Sequence, residues 1–376
     1  MTAPPEAITI PDDLLPTDGR FGSGPSKVRP EAVDALAGEG RSYLGTSHRQ
    51  AAVRFMVASL RNGIAELLSL PDGYEVALGN GGTTAFWDAA TFGLIDQRSQ
   101  HLSFGEFSAK FASCAEAAPH LDAPEVIEAP PGSVPEAKAT PDVDAYCLTH
   151  NETSTGVAAP LSRPEGSEGL VLVDGTSAAG GLRFDPSQVD AYYFAPQKAL
   201  ASDGGLWLAA LSPAAVERIE RITASDRWCP AFLDLGIALD NSRKDQTYNT
   251  PALATIYLAV QQVEWILHSG GLPFAAGRCD QSAGVVYGWA EASDYATPFV
   301  PDPALRSHVV ATIDLDDSVD AGTVSKVLRQ NHVVDTESYR KLGRNQLRIA
   351  LFPAIDPGDL EALTHCIDFV VDRLCA

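Results

Sequence analysis

Lys198 is the residue in this sequence whose type and setting best suit covalent chemistry. It follows an aromatic run, Tyr192 to Phe194, which predicts a buried strand that Pro196 then ends. A lysine held against apolar surroundings loses hydration of its ammonium form, so its pKa falls and the neutral amine can attack a carbonyl. The alternative is an ordinary solvated lysine in a surface loop.

An acidic residue, Asp174, precedes this lysine in the chain and closes the apolar run from Leu170 to Val173. Such a run, followed by a glycine, predicts a parallel strand that delivers Asp174 to the carboxyl edge of a sheet, where open α/β folds bind ligands. An aspartate and a lysine at two strand ends suit pyridoxal phosphate. The lysine condenses with the aldehyde, and the carboxylate keeps the pyridine nitrogen protonated. Alternatively, Asp174 only caps the next turn.

Two further stretches have the pattern of anion-binding sites. His48 and Arg49 stand side by side ahead of a predicted helix over 51–68. Because adjacent residues do not share a helix face, both can contact one ligand only from a loop or a helix start. The second stretch is a short strand from Val76, a glycine turn and a helix beginning near Thr83, a geometry in which free backbone N–H groups hold a phosphate. The alternatives are exposed polar residues and a tight turn without a ligand.

Four single side chains are further candidates for a binding site. Phe107 either stacks on a cofactor ring or belongs to the core. Asn151 and Thr153 follow a predicted strand, where they bond a ring hydroxyl or a phosphate, or are turn residues. Arg348 lies within a predicted strand near the C-terminus, where its guanidinium either clamps a substrate carboxylate or points to solvent.

The elements that position these residues divide into two patterns. Strands and helices alternate from Val76 to Leu211, which predicts a mostly parallel sheet covered by helices on both faces. Beyond Gly270 the pattern changes to a small α/β unit, with a short strand over 332–335 and a final amphipathic helix over 357–374. We therefore expect an α/β fold with a weakly ordered lead-in over residues 1–20, a large domain over 21–270 and a small C-terminal domain over 271–376.

Composition excludes several classes of protein. Of the 376 residues, 45% are apolar, enough for a large core, and the net charge of -22 argues against nucleic acid or an anionic membrane as partner. No apolar run approaches the roughly 20 residues of a membrane span, and the acidic start is unlike a signal peptide. Six cysteines without a CxxC pair predict reduced thiols rather than disulfides or a metal site. We expect a cytoplasmic protein.

Taken together, the motifs resemble the phosphoserine aminotransferases, which are fold-type I pyridoxal-phosphate enzymes, from about residue 21 to the C-terminus. The residues that carry the resemblance are Gly24-Pro25, Gly45-Thr46-Ser47-His48-Arg49, Asn151-Glu152-Thr153, Asp174 with Ser177, Gln197-Lys198, Tyr248-Asn249-Thr250-Pro251 and Arg348. The family implies a large cofactor-binding domain, a small C-terminal domain and a homodimer with shared active sites.

The resemblance also implies a role for each site residue. Lys198 would carry the cofactor, and Asp174 would pair with its pyridine nitrogen. His48 and Arg49 would hold the substrate phosphate from across the dimer, and Arg348 would hold the substrate carboxylate. Further cofactor contacts would come from Gly82, Thr83, Phe107, Thr153 and Gln197, and from Asn249 and Thr250 of the second subunit.

The implied reaction is the reversible transamination of O-phospho-L-serine with 2-oxoglutarate to 3-phosphohydroxypyruvate and L-glutamate. It belongs to serine biosynthesis, and to pyridoxine biosynthesis if 4-phosphohydroxythreonine is also accepted. The alternatives are an alanine–glyoxylate type aminotransferase, a cysteine desulfurase and a pyridoxal-phosphate-binding protein without turnover. The desulfurase is disfavoured because Cys366 falls within the predicted last helix and Cys375 lies at the chain end.

Two positions depart from the family pattern. Phe107 stands where many members have tryptophan, and any aromatic face can stack on a ring. Thr83 or Thr84 stands where many members have an arginine, which removes a phosphate contact. We expect Lys341 or Arg344 to supply the missing charge.

Overall fold

Twelve strands are present in the computed structural model, which describes residues 5–375. They are β1 (Glu75–Asn80), β2 (Ser99–Ser103), β3 (Glu125–Glu128), β4 (Ala145–Thr149), β5 (Asn151–Glu152), β6 (Val157–Ala158), β7 (Leu170–Asp174), β8 (Ala191–Phe194), β9 (Leu206–Leu211), β10 (Ala296–Pro298), β11 (Val310–Leu315) and β12 (Gln346–Ala350).

Ten α-helices lie before, between and after these strands in the described part of the chain. They are α1 (Pro30–Tyr43), α2 (Ala51–Leu67), α3 (Gly82–Gly93), α4 (Glu106–Ala117), α5 (Pro213–Thr223), α6 (Leu235–Ser242), α7 (Leu253–His268), α8 (Gly271–Ala292), α9 (Ala321–Gln330) and α10 (Pro357–Cys375). No helix within residues 5–375 is long and apolar enough to cross a membrane.

The large sheet has seven strands in the order β1, β9, β8, β7, β4, β2, β3. Strands β8, β7, β4, β2 and β3 run parallel, whereas β9 is antiparallel to both its neighbours, so β1 points the same way as the parallel set. Strands β7, β8 and β9 are buried along their whole length, as expected where helices cover both faces. The mostly parallel α/β sheet is therefore confirmed, and the carboxyl ends of β1, β2, β3, β4, β7 and β8 lie along one edge.

A second sheet, β10, β11, β12, is antiparallel and packs on α8 and α9, and both helices also contact α10. Its core is separate from that of the large sheet and includes the inward faces of α8 and α10. The sequence pattern did not reveal α8, because glycines at 271, 277, 284 and 288 interrupt its apolar periodicity. The limits 21–270 and 271–376 stay a prediction, and the separate core supports them.

Two expectations about local structure are wrong. Residues 332–335 form no strand beyond one bridge from Val334 to Arg20, because His332 and Asp335 have φ of 66° and 67°, outside the extended region. The lead-in is not weakly ordered from Ile8 onward, although residues 1–4 of that prediction lie outside the described range. Ile8 and Ile10 are buried in the C-terminal core, because packing against its apolar side chains removes both from water.

Candidate active site

A pocket of about 450 Å³ lies along the carboxyl edge of the large sheet and is closed on one side by the small sheet. It is lined by eight of the twelve residues predicted for the site. They are Gly82, Thr83, Phe107, Thr153, Asp174, Gln197, Lys198 and Arg348. The strand-end positions explain this convergence, because β1, β2, β4, β7 and β8 all end at this edge.

Lys198 is buried, with 7% of its surface exposed, in the turn that follows β8. Its Nζ donates to Thr153 Oγ1 at 2.8 Å and lies 5.0 Å from the ring centre of Phe107. Gly24 adopts φ of +150°, and a Cβ there would lie 2.9 Å from Lys198 Cε, so this position requires glycine. Burial lowers the pKa of Lys198 to about 8, against the opposing charges of Asp174 and Glu152.

Asp174 ends β7 and is buried at the floor of the same pocket. Its carboxylate accepts hydrogen bonds from Trp87 Nε1 at 3.1 Å and from the Thr176 backbone N–H at 2.8 Å. Burial raises its pKa, while the Thr176 hydrogen bonds and the Lys198 charge act in the opposite direction. An acid fixed by two donors at one end of a lysine pocket suits a ligand that carries a protonated ring nitrogen.

A chain of hydroxyl and amide groups connects the lysine to the strand after β4. Thr153 Oγ1 donates to Ser177 Oγ at 2.9 Å, and Asn151 Nδ2 donates to the same oxygen at 2.8 Å. Ser177 Oγ in turn donates to the Asn151 carbonyl at 3.0 Å. The lysine amine therefore lies in a fixed hydrogen-bond network rather than in a flexible loop.

The glycine turn after β1 opens the N-terminus of α3 into the pocket. Gly81 and Gly82 have φ of 109° and 68°, values that favour glycine, and no side chain caps the helix start. The first N–H groups of a helix have no partner within it, so they and the helix dipole suit a phosphate. Gln197 Oε1 nearby is buried and has no hydrogen-bond partner within residues 5–375. An unsatisfied polar atom of this kind indicates a missing ligand.

Arg348 enters the pocket from β12 of the small sheet. Its Nη1 donates to the Thr153 carbonyl at 3.4 Å, and its guanidinium carbon lies 5.3 Å from the ring centre of Tyr339. Its Nε is buried without a partner in the described part of the chain, and burial lowers the pKa of the guanidinium. A guanidinium that lines the same pocket as the lysine and has an unused N–H donor can bind a carboxylate.

The other four predicted residues lie outside this pocket and close to one another. Thr250 Oγ1 and His48 Nδ1 are 3.3 Å apart, and Asn80 Nδ2 donates to Asn249 Oδ1 at 2.5 Å and to the Thr250 carbonyl at 3.2 Å. Arg49 Nη1 donates to Gln246 Oε1 at 3.3 Å. The four residues that the resemblance expects from a second subunit thus form one group on this chain.

Comparison with known proteins decides the family. Residues 20–337 match the aminotransferase class-V family. The chain belongs to that family. A phosphoserine aminotransferase of Rhodococcus jostii (strain RHA1) is 61% identical over 366 residues, which cover 97% of this chain and 98% of that protein.

Solved structures of this class V aminotransferase fold agree with the architecture. A phosphoserine aminotransferase from Cytophaga hutchinsonii has a TM-score of 0.85 at 23% identity, covering 94% of this chain and 99% of its own. An aspartate aminotransferase from Thermus thermophilus has a TM-score of 0.80 at 24% identity, with coverage of 94% and 99%. Since two different activities share this fold, the fold does not by itself select the substrate.

This class V aminotransferase has the residues to bind pyridoxal phosphate. The uncapped start of α3 and the unpaired Gln197 oxygen fit the phosphate, and Asp174 fits the ring nitrogen. Thr153, which accepts from Lys198, would bond the ring hydroxyl that the resemblance implies. Phe107 offers an aromatic face on the same side as the Lys198 amine. The individual roles stay predictions that this geometry supports.

The expected replacement for the missing phosphate-site arginine is not supported. Lys341 pairs with Glu106, and Arg344 pairs with both carboxylate oxygens of Asp314. Neither cation lines the pocket. Each of these two cations forms an ion pair with a carboxylate outside the pocket. Its positive charge is therefore directed away from the cofactor phosphate site.

Among the pocket residues that sequence reasoning did not single out are Trp87, Thr176 and Tyr339. Trp87 lies within α3, Thr176 lies in the turn after β7, and Tyr339 lies in an irregular segment before β12. The sequence did contain a signal for Trp87, because an aromatic residue about one helical turn after the glycines lies near the helix start that opens into the pocket. The sequence contained no such signal for Tyr339, because the position of its side chain depends on how an irregular segment packs in the folded chain.

Proposed function

We propose that this protein is a pyridoxal-phosphate-dependent phosphoserine aminotransferase. It exchanges the amino group between O-phospho-L-serine and 2-oxoglutarate, giving 3-phosphohydroxypyruvate and L-glutamate. The observation that carries the proposal is one pocket that holds a buried lysine of lowered pKa, a buried aspartate and an incompletely paired arginine. The relative that is 61% identical over nearly the whole chain bears the same name.

Lys198 and Asp174 perform the chemistry on the large-domain side. When bound, pyridoxal phosphate supplies a ring that withdraws electrons from the substrate Cα. Asp174, held by Trp87 and Thr176, keeps a proton on the ring nitrogen. Lys198 takes and returns the substrate α-proton at Nζ, since an amine with a pKa of about 8 is partly neutral near neutral pH.

Substrate recognition uses cations from two places. Arg348 binds the α-carboxylate through its unused donors, because a guanidinium fork matches a carboxylate. His48 and Arg49 of a second copy of the chain bind the phosphate, so the active form is a homodimer. Tyr248, next to Asn249 and Thr250, is 47% exposed, so its ring is accessible to a second copy at this surface.

The reaction supplies the amino group in serine biosynthesis, and the same pocket would serve pyridoxine biosynthesis if 4-phosphohydroxythreonine is a substrate.

We place the protein in the cytoplasm, as its six free cysteines support a reducing compartment. Cys147 and Cys279 are buried core residues, which gives them a packing role.

The test is a steady-state assay of the protein loaded with pyridoxal phosphate, with 2-oxoglutarate as the acceptor. The donors are O-phospho-L-serine, 4-phosphohydroxythreonine, L-serine, L-alanine and L-aspartate. We expect kcat/KM for phosphoserine to exceed that for L-serine by about 100-fold or more, because L-serine lacks the phosphate and so forms none of the charged hydrogen bonds proposed for His48 and Arg49. Preference for L-alanine or L-aspartate would assign the protein to another class V activity.

A further inference from the structure

A second cavity, of about 610 Å³, lies on the small domain between the start of α9 and the segment that leads into β12. We call it the α9 cavity. The lining residues used below are Asp317, Gly322, Ser325, Ser338, Arg340 and Gln346. None of them lines the catalytic pocket, although Tyr339, between Ser338 and Arg340, does. The two cavities are therefore distinct and share one chain segment.

Gln346 marks the floor of the α9 cavity with an unsatisfied acceptor. The residue is 1% exposed, and its Nε2 donates to Asp314 Oδ1 at 2.8 Å. A carboxylate only accepts, so this bond fixes which end of the amide is nitrogen. Gln346 Oε1 then has no donor within residues 5–375. A buried amide oxygen without a donor is costly, so the site calls for a ligand N–H or O–H.

Most charges around the cavity are already paired. Glu337 receives two hydrogen bonds from Arg329, Arg344 pairs with Asp314, and Asp320 caps α9 by accepting from the Thr323 N–H. Two exposed groups remain, Arg340 and Asp317, neither of which has an ion-pair or hydrogen-bond partner for its side chain in the described chain. The rim therefore offers one positive and one negative group.

The start of α9 adds a donor beside these groups. Ala321 N–H donates to Asn345 Oδ1 and Thr323 N–H donates to Asp320 Oδ1, whereas Gly322 N–H has no acceptor in the described residues. An open N–H at the positive end of a ten-residue helix favours a carboxylate. The cavity thus combines an anion subsite with the Gln346 acceptor.

We propose that the α9 cavity binds a small zwitterionic α-amino acid. Its ammonium group donates to Gln346 Oε1 and lies near the Asp317 carboxylate, and its carboxylate accepts from Gly322 N–H and Arg340. The hydroxyls of Ser325 and Ser338 favour a polar side chain. The proposal does not depend on which amino donor the catalytic pocket uses.

Isothermal titration of the protein loaded with pyridoxal phosphate, without a keto acid, tests the proposal. The probes are glycine, L-alanine and L-serine, together with ethanolamine and glycolate, which carry only the ammonium or only the carboxylate. We expect at least one amino acid to bind with one site per chain and neither half-ligand to bind comparably. Failure of all three amino acids at millimolar concentration would overturn the proposal.

Variants separate this site from the catalytic pocket. Arg340→Ala and Asp317→Asn should each weaken binding by about tenfold, the loss of one charged contact. Arg348→Ala, which alters the catalytic pocket, and Arg373→Ala, an exposed control, should change binding less than twofold. Binding that is lost in Arg348→Ala and kept in Arg340→Ala would place the amino acid in the catalytic pocket and overturn the proposal. Thermal unfolding of each variant checks that it is folded.

Discussion

The two walls of the catalytic pocket differ in how completely their polar groups are bonded. On the large-domain wall, Lys198 and Asp174 are buried and held by hydrogen bonds to Thr153, Trp87 and Thr176. On the small-domain wall, Arg348 has one long hydrogen bond and a buried Nε without a partner in the described chain. The comparison indicates that the groups for bond chemistry are fixed before substrate arrives, whereas Arg348 keeps donors for the substrate to use.

Replacing the lysine tests the large-domain wall most severely. Lys198→Ala should reduce kcat by about 10³-fold or more, because it removes both the cofactor attachment and the proton carrier. The measurement is transamination of phosphoserine at saturating pyridoxal phosphate. Lys326→Ala, at a lysine 60% exposed on its side chain, is the control and should retain full activity. Comparable turnover in the two variants would remove Lys198 from the mechanism.

A pH series on the apoprotein examines the same wall without substrate. The burial that lowers the pKa of Lys198 from 10.5 to about 8 means that the amine is protonated below that value and neutral above it. Since only the neutral amine is nucleophilic, the rate of pyridoxal phosphate attachment should rise about tenfold per pH unit up to about pH 8 and then level off. Attachment followed by stopped-flow absorbance that kept rising to pH 10 would instead indicate a solvated lysine.

A conservative change on the small-domain wall should affect recognition more than chemistry. Arg348→Lys keeps the charge but loses the two-pronged geometry, so KM for phosphoserine should rise about tenfold with kcat changed less than about twofold. Arg344→Lys is the matched control, since its partner is Asp314 outside the pocket. A fall in kcat at constant KM would show that Arg348 acts in the chemical step.

The aromatic neighbour of Arg348 should have the smallest effect. Tyr339→Phe keeps the ring 5.3 Å from the guanidinium, whereas Tyr339→Leu removes it. A cation–π contact between these two half-buried side chains is worth about 1 kcal/mol, so the leucine variant should raise KM about fivefold and the phenylalanine variant hardly at all. Equal effects in steady-state kinetics would assign the role to the hydroxyl rather than to the ring.

The large-domain wall was easier to predict from sequence than the small-domain wall. Asp174 ends one short apolar strand and Lys198 lies four residues after the end of another, and parallel strands bring such residues to one edge. Tyr339 lies in a segment without periodicity. The positions of Lys341 and Arg344 depend on the carboxylates Glu106 and Asp314, which are distant in sequence and meet them only in the folded chain. Local patterns carry no information about such pairings.

The order of the N-terminal segment was unpredictable for a related reason. The stretch around Ile8 and Ile10 is short, acidic and rich in proline, a composition typical of loose termini. Its order comes from a surface offered by the opposite end of the chain, where Asn331 Oδ1 accepts from the Ile10 N–H at 2.9 Å. Only the folded C-terminal region provides that surface.

The central claim is that Lys198, beside Asp174, binds pyridoxal phosphate for transamination of phosphoserine. An absorbance spectrum of the protein loaded with pyridoxal phosphate, before and after O-phospho-L-serine without a keto acid, tests it most directly. The account predicts a visible band that gives way to the near-ultraviolet band of the pyridoxamine form, with no such change on adding L-alanine. A protein that shows no visible band with added pyridoxal phosphate, or whose band is indifferent to phosphoserine, would contradict the account.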